Sequence, residues 1–139
     1  MNEVFMDTSF LLALASPRDV LHRRAVMWRY VLTGPLVTTE FILLELTDGL
    51  AGRKLNPTAV SIIEGLRKGP DTEIIAAESL WIARGFELYR QRADKMWSLT
   101  DCISFEIMKD RGITDALTHD HHFEQAGFRA LLRHDPPSN

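Results

Sequence analysis

The sequence predicts an α/β fold, a three-layer α/β/α arrangement with a mainly parallel central sheet of four to five short strands. Three observations carry this. Apolar runs of three to five residues alternate along the chain with longer segments whose apolar positions recur at helical spacing. That order implies βαβ crossovers with helices on both faces of the sheet. The length of 139 residues suits one core, since two would leave about 70 residues each with marginal burial. A single domain over 1–134 is expected, followed by a loose tail at 135–139, Asp135-Pro136-Pro137-Ser138-Asn139.

Glu3-Val4-Phe5-Met6 is a short apolar run ending at Asp7, the profile of a buried strand. Asp7-Thr8-Ser9 offers capping groups ahead of Phe10-Leu11-Leu12-Ala13-Leu14, a short helix stopped near Ser16-Pro17. Apolar residues at 21, 25, 28 and 32 predict a helix over 19–32, ended by Thr33-Gly34-Pro35. Leu36-Val37-Thr38 is the second strand, and Thr39 caps a helix over 40–50 with Leu43, Leu46 and Leu50 on one stripe. Pro57 suits the first turn of a further helix, closed by Gly69-Pro70. Glu73-Ile74-Ile75-Ala76 is the third strand, followed by a long helix over 77–95. Thr100 opens a helix that stops at Gly112, Ala116-Leu117-Thr118 is the fourth strand, and Arg129-Ala130-Leu131-Leu132 is a candidate fifth.

Composition narrows the function classes. Hydrophobic residues at 45% and charged ones at 25% are those of an ordinary globular protein and exclude a disordered or collagen-like chain. A single cysteine, Cys102, cannot form an internal disulfide, which points to a reducing, cytoplasmic compartment. The first residues lack the basic segment and cleavable apolar run of a signal peptide, and no apolar run reaches membrane-spanning length; a soluble protein with no membrane partner is expected. With 16 Lys+Arg against 19 Asp+Glu the formal charge is −3, which argues against a basic coat that grips nucleic acid non-specifically.

In an open parallel α/β sheet, functional groups gather beyond the carboxyl ends of the strands. Asp7 follows the first strand directly, and Asp120 follows the fourth by two residues. Asp101 occupies the first turn of its helix, and Glu45 lies about a turn and a half into its own. Taken singly, Asp7 and Asp101 read as helix N-terminal carboxylates, Asp120 as a turn residue and Glu45 as a solvated helix residue. Helical geometry changes the reading of two. Asp101 shares a face with Phe105, Met108 and Gly112, and Glu45 stands beside Phe41 and Ile42 at the margin of an apolar stripe. A carboxylate on a core-facing side needs a partner, and residues 7–9, 39–50 and 97–107 contain no Lys or Arg. If the four converge, a pair at 4 Å repels by about 4 kcal/mol at an effective dielectric near 20, which demands a proton or a cation. Oxygen donors without thiolates or clustered imidazoles select Mg²⁺ or Mn²⁺ over zinc. A carboxylate pocket holding one or two such ions suits phosphodiester hydrolysis.

These segments resemble the PIN-domain family, specifically the VapC-type toxins of bacterial toxin–antitoxin pairs. The likeness lies in the opening strand into Asp7-Thr8-Ser9, in Thr38-Thr39-Glu40-Phe41-Ile42-Leu43-Leu44-Glu45, in Leu99-Thr100-Asp101-Cys102-Ile103-Ser104-Phe105, and in Ala116-Leu117-Thr118-His119-Asp120-His121-His122-Phe123 leading to Ala126-Gly127-Phe128. Each block is a weak signal alone, and the four in register cover essentially the whole chain. The resemblance places the family's metal-binding acids on Asp7, Glu45, Asp101 and Asp120, with Thr8, Ser9 and Thr118 as hydroxyls near the metal. It implies a Mg²⁺- or Mn²⁺-dependent endoribonuclease, usually a homodimer, held inactive by an antitoxin protein. Asp7 and Asp101 are then the principal ligands, Glu45 and Asp120 complete or support the site, and Glu45 orients or deprotonates the attacking water. The apolar stretches 10–14 and 59–66 offer a groove for an antitoxin segment with an Arg or Lys directed at the acids.

Other features have plainer readings. His119-Asp120-His121-His122 lacks a second cluster with zinc-ligand spacing; His119 or His121 is left as a candidate phosphate contact, with a solvated turn as the simpler alternative. Cys102 reads as a small buried apolar residue with no catalytic partner. Trp28, Trp81 and Trp97 read as core or dimer-interface anchors before base-stacking platforms. Arg23, Arg24 and Arg29, then Arg84, Arg90, Arg92 and Lys95, then Arg129, Arg133 and His134 form clusters, part solvated helix face and part rim for RNA phosphates.

Two rival classes share an Asp after the first strand. A haloacid-dehalogenase-type phosphatase wants a second acid where Ser9 stands; a phosphotransfer receiver wants an earlier acidic pair and a late-strand Lys, and neither is present. A non-catalytic PIN-like module acting through its partner is the remaining alternative, disfavoured by the complete acid set. Setting the four candidate acids apart from the 19 leaves 15 against 16 Lys and Arg, so local, salt-sensitive gripping of RNA is expected.

Overall fold

Five parallel strands, β1 (Val4–Met6), β2 (Leu36–Thr39), β3 (Thr72–Ile75), β4 (Asp115–Leu117) and β5 (Arg129–Ala130), hydrogen-bond in the order β3-β2-β1-β4-β5 in the computed structural model. The structure describes residues 2–138, so Asn139 of the expected tail lies outside the described residues. Val4 pairs with Leu36 on one side and with Asp115 on the other. β1 and β2 are buried at every position, as strands covered on both faces must be. The chain builds outward from β1 through β2 to β3, then returns to the other edge of β1 for β4 and β5. A topological switch point therefore falls between β1 and β4, where open α/β sheets place their ligands.

The sheet is the middle of three layers. α1 (Thr8–Ala15) packs against α2 (His22–Val31), α3 (Glu40–Leu50) and α4 (Asn56–Lys68), whereas α5 (Ser79–Gln91) pairs with α6 (Leu99–Arg111), which touches α7 (His121–Gln125). Phe5, Met6, Phe10, Leu11, Ile42, Leu46, Ile107, Met108, Leu117 and Phe123 are fully buried between them. An aromatic chain ties α6 and α7 to the sheet: ring centroids lie 5.0 Å apart for Trp97 and Phe105, 4.9 Å for Phe105 and Phe123, and 6.4 Å for Phe123 and Phe5.

Local chemistry sets the helix ends that matter for the site. Thr39 accepts a 3.1 Å bond from the Ile42 amide and starts α3 one residue past β2. Ser98 and Asp101 form a reciprocal capping box at the start of α6, and Gly112 ends that helix in the left-handed region at φ 67°. Gly85 brings α5 against α6, its Cα facing the Ile103 backbone with no room for a side chain.

Several expected boundaries move, three elements most. The helix expected over 77–95 is confined to Ser79–Gln91; Arg92 pairs with Asp94 at 3.0 Å and lies over the Trp97 ring at 5.1 Å, turning the chain toward α6. The helix expected from 19 begins at His22, because Asp19 Oδ1 accepts from the Leu21 amide at 2.8 Å in a local turn. β5 stops at Ala130, and Leu131–Arg133 is a 3₁₀ turn. Residues 134–135 are tied to α2: Trp28 Nε1 donates to the His134 carbonyl at 2.8 Å and Arg24 pairs with Asp135 at 2.9 Å. Among the described residues no helix is long and apolar enough to cross a membrane.

Candidate active site

At the carboxyl edge of the sheet a cleft of about 560 Å³ is lined by Asp7, Glu45, Asp101 and Asp120, together with Thr8, Ser9, Leu12, Asp48, Met96, Ser98 and His122. Each expected acid arrives on a different element: Asp7 just past β1, Glu45 from α3, Asp101 from the first turn of α6 and Asp120 at the head of α7. No Lys or Arg is among the described residues that line the cleft.

Asp7 sits at the N-cap of α1, but its side chain makes no capping bond. Its Oδ2 instead accepts from Thr118 Oγ1 at 2.7 Å and from Ser9 Oγ at 3.1 Å. Only 7% of the residue is exposed. Burial pushes its carboxyl up to about 6, against the opposing Thr118 hydroxyl and Thr8 amide, with the charges of Asp101 and Glu45 adding to the rise. Glu45 Oε1 accepts from Thr8 Oγ1 at 2.6 Å. Its carboxyl is also raised, first by burial and then, beyond the offset from Thr8, by Asp101, Asp48 and Asp120.

Asp101 plays both roles open to it. Its Oδ2 takes the Ser98 amide at 3.1 Å in the capping box, while burial and the charge of Asp120 hold its carboxyl above the usual range despite the Ser98 and His122 hydrogen bonds. Asp120 Oδ1 accepts from the His122 amide at 2.9 Å, and its own amide donates to Thr118 Oγ1 at 3.0 Å. The three expected hydroxyls therefore each bond to a carboxylate: Thr8 to Glu45, Ser9 and Thr118 to Asp7. Among the described residues, no donor reaches Glu45 Oε2, Asp101 Oδ1 or Asp120 Oδ2. An oxygen-rich set with one carboxylate oxygen anchored and the other open, in a cleft where three carboxyls are pushed up by burial and then by one another's charge, fits a hard divalent cation.

Two ionisable lining groups were not among the expected site residues. Asp48 stands three residues after Glu45 on α3, a spacing that shares a helix face. His122 places Nδ1 3.2 Å from Asp101 Oδ2 and 3.3 Å from Asp120 Oδ1. The histidine expected near the acids was His119 or His121; His121 is 61% exposed in its side chain, and its Nδ1 stays 3.7 Å from Asp120. The ligand atoms of Asp120, His121 and His122 lie within 4.8 Å of one another.

Cys102 is fully buried, and burial with the neighbouring Asp101 and Glu106 charges pushes its thiol up to about 11, which leaves it a poor nucleophile. Trp28 and Trp97 are buried. Much of the basic rim is engaged in ion pairs: Arg24 with Asp135, Arg84 with Glu106 and Asp110, Arg90 with Glu87, Arg92 with Asp94, Arg129 with Asp115 and Arg133 with Glu124.

No family model matches the chain. Two curated relatives, both named 23S rRNA-specific endonuclease VapC20 and from Mycobacterium tuberculosis strains CDC 1551 and H37Rv, are each 27% identical over 126 residues, spanning 90% of this chain and 95% of theirs. The crystal structure of Mycobacterium tuberculosis VapC20, described as a sarcin-ricin loop cleaving toxin, superposes with a TM-score of 0.83 at 25% identity, over 91% of this chain and 96% of that one.

Proposed function

We propose that the chain is a VapC-type PIN-domain ribonuclease that hydrolyses RNA in the cleft between Asp7, Glu45, Asp101 and Asp120, with one or two Mg²⁺ or Mn²⁺ ions as cofactor. One observation carries the reading: four carboxylates from four elements meet in one cleft with no Lys or Arg among its described lining residues, each anchored through one oxygen by a hydroxyl or amide. Asp7 and Asp101 are the principal ligands and Asp120 completes the set. When bound, such an ion supplies an activated water and offsets the charge that builds on the phosphorus oxygens. Thr8 fixes the rotation of Glu45 and leaves Oε2 able to accept a proton from water, a role helped by the raised affinity of Glu45 for protons. Thr118 and Ser9 lock Asp7, and the Ser98 capping box locks Asp101.

The names of the relatives make 23S rRNA, and its sarcin-ricin loop, the first substrate to test. Purified protein incubated with intact ribosomes in Mn²⁺ should leave one mapped cut in the large-subunit RNA that chelator prevents. Intact RNA with Mn²⁺ present, on ribosomes and on total RNA alike, would exclude the reading.

An antitoxin protein fits a second feature. A cleft of about 270 Å³ is walled by Phe10, Leu11 and Leu14 of α1 and Ile62 and Leu66 of α4, while Leu12 on the same α1 lines the acidic cleft. A peptide with an apolar face suits these walls. A homodimer is supported by Ile82, Phe86 and Tyr89, one stripe of α5 that is 43%, 53% and 47% exposed. Light scattering of the wild type and of Phe86→Asp tests this: a dimer that the charge converts to monomer agrees, and a wild-type monomer at assay concentration disagrees. The reducing, cytoplasmic setting rests on the lone buried Cys102.

A further inference from the structure

Beyond the four acids, the cleft holds a side chain whose placement follows from α7. Asp120 caps that short helix, His122 occupies its first turn, and Phe123 anchors it in the aromatic chain. His122 is thereby turned inward, its side chain 19% exposed. Nδ1 lies 3.2 Å from Asp101 Oδ2 and 3.3 Å from Asp120 Oδ1, between carboxylates brought by two separate helices.

We propose that His122 is a positioning residue, donating Nδ1–H to Asp101 Oδ2 with Asp120 Oδ1 alongside at 3.3 Å, so that their remaining oxygens are held ready for a divalent cation. The proposal rests on reading the cleft as a cation site. An ionised carboxylate only accepts, so Nδ1 carries the hydrogen whichever charge state the ring adopts. The oxygens it contacts are those the backbone already holds, Asp101 Oδ2 by the Ser98 amide at 3.1 Å and Asp120 Oδ1 by the His122 amide at 2.9 Å. Asp101 Oδ1 and Asp120 Oδ2 are the oxygens left open among the described residues. A donor set between two like charges lowers their repulsion and fixes the rotation of Asp101, while the His122 amide fixes that of Asp120. Among the described residues no Lys or Arg lines the cleft, so no basic side chain of that kind performs the task there. Outer hydrogen bonds to ligating groups are commonly worth 10- to 100-fold in metal affinity.

His122→Asn and His122→Gln separate the two ring nitrogens, since an Asn amide nitrogen falls where Nδ1 sits and a Gln amide nitrogen where Nε2 sits. Mn²⁺ alone is the probe, titrated at one pH and read by the electron paramagnetic resonance of the free ion. Asp7→Asn serves as the site reference, and ion-free thermal unfolding as the check on folding. His122→Asn should bind Mn²⁺ within about twofold of the wild type, and His122→Gln about tenfold or more weaker, with matching ion-free melting. Equal affinity of both variants and the wild type overturns the proposal and leaves the cleft as a cation site. Gln rescuing where Asn does not also overturns it, because the other nitrogen then acts. Should the wild type bind no better than Asp7→Asn, the cation-site reading fails and the proposal falls with it.

Discussion

Thr118, one residue past β4, donates a 2.7 Å hydrogen bond to Asp7 Oδ2, one residue past β1, and joins groups 111 positions apart in sequence. The same hydroxyl receives the Asp120 amide at 3.0 Å. One buried oxygen therefore sets the positions of two acids, and its neighbours in the sheet bring it there: Met6 pairs with Leu117 in parallel register.

Replacing Thr118 by Val removes that oxygen while keeping the shape. Asp7 loses the hydrogen bond that most favours its ionised form, and the Asp120 amide loses its acceptor. The variant should lose about 1–3 kcal/mol of stability and most of its cleavage, whereas Thr118→Ser should retain both. Urea unfolding beside an RNA cleavage assay measures the pair; a fully active Thr118→Val contradicts the role.

Asp7 makes stability depend on pH. Its carboxyl is raised from 3.8 to about 6 in the folded protein, so the folded state binds the proton more tightly than the unfolded one. The stabilisation this gives is complete below pH 3.8 and is lost as pH rises through about 6. A difference of that size is worth up to about 3 kcal/mol. Ion-free Asp7→Asn should therefore resist urea better than wild type at pH 8, and the gap should shrink between pH 7 and pH 4, although cleavage is lost. Equal urea midpoints at pH 8 would show that an ionised Asp7 carries no burial cost.

Gly85 tests the support beneath Asp101. A Cβ there would stand 3.0 Å from the Ile103 Cα and amide nitrogen, backbone atoms that can move only with α6. Gly85→Ala should cost about 1–3 kcal/mol and reduce cleavage, because α6 carries Asp101. Thermal unfolding checks the first part, and an unchanged midpoint would mean that α5 and α6 part without penalty.

On the proposed reading, Mn²⁺ bound at the acids would relieve their mutual repulsion, so the melting temperature should rise with Mn²⁺ concentration by simple linkage. The rise should weaken as pH falls below about 6, where Asp7 holds a proton, and vanish in Asp101→Asn. A differential scanning series in Mn²⁺ at two pH values measures it; a shift in Asp101→Asn equal to that of the wild type points to ions bound elsewhere.

Much of this site was readable in the residues. Strand-terminal Asp7 and the fourth-strand turn with Asp120 follow from where open α/β sheets keep their polar groups. Thr39 as a cap and the Leu43, Leu46 and Leu50 stripe follow from helix periodicity and are buried as expected. What escaped depends on rotation and partners that spacing does not encode. Asp101 reads as a cap or as a cleft acid from its position, and the structure shows both: Oδ2 takes the Ser98 amide and the residue lines the cleft. Choosing among His119, His121 and His122 requires the direction in which α7 leaves the sheet, which Phe123 decides by packing on Phe5 and Phe105. The early end of α5 at Gln91 likewise comes from the tertiary contact of Arg92 with Trp97.

The central claim is that RNA is cut by an ion held on these acids. Cleavage of large-subunit ribosomal RNA by purified wild type and Asp101→Asn, across a Mn²⁺ titration and after chelation, tests it most directly. The account predicts one discrete product from the wild type that grows with Mn²⁺ and disappears with chelator, and none from Asp101→Asn despite wild-type folding. Cleavage by Asp101→Asn at the wild-type rate, or wild-type cleavage undiminished by chelator, would contradict it.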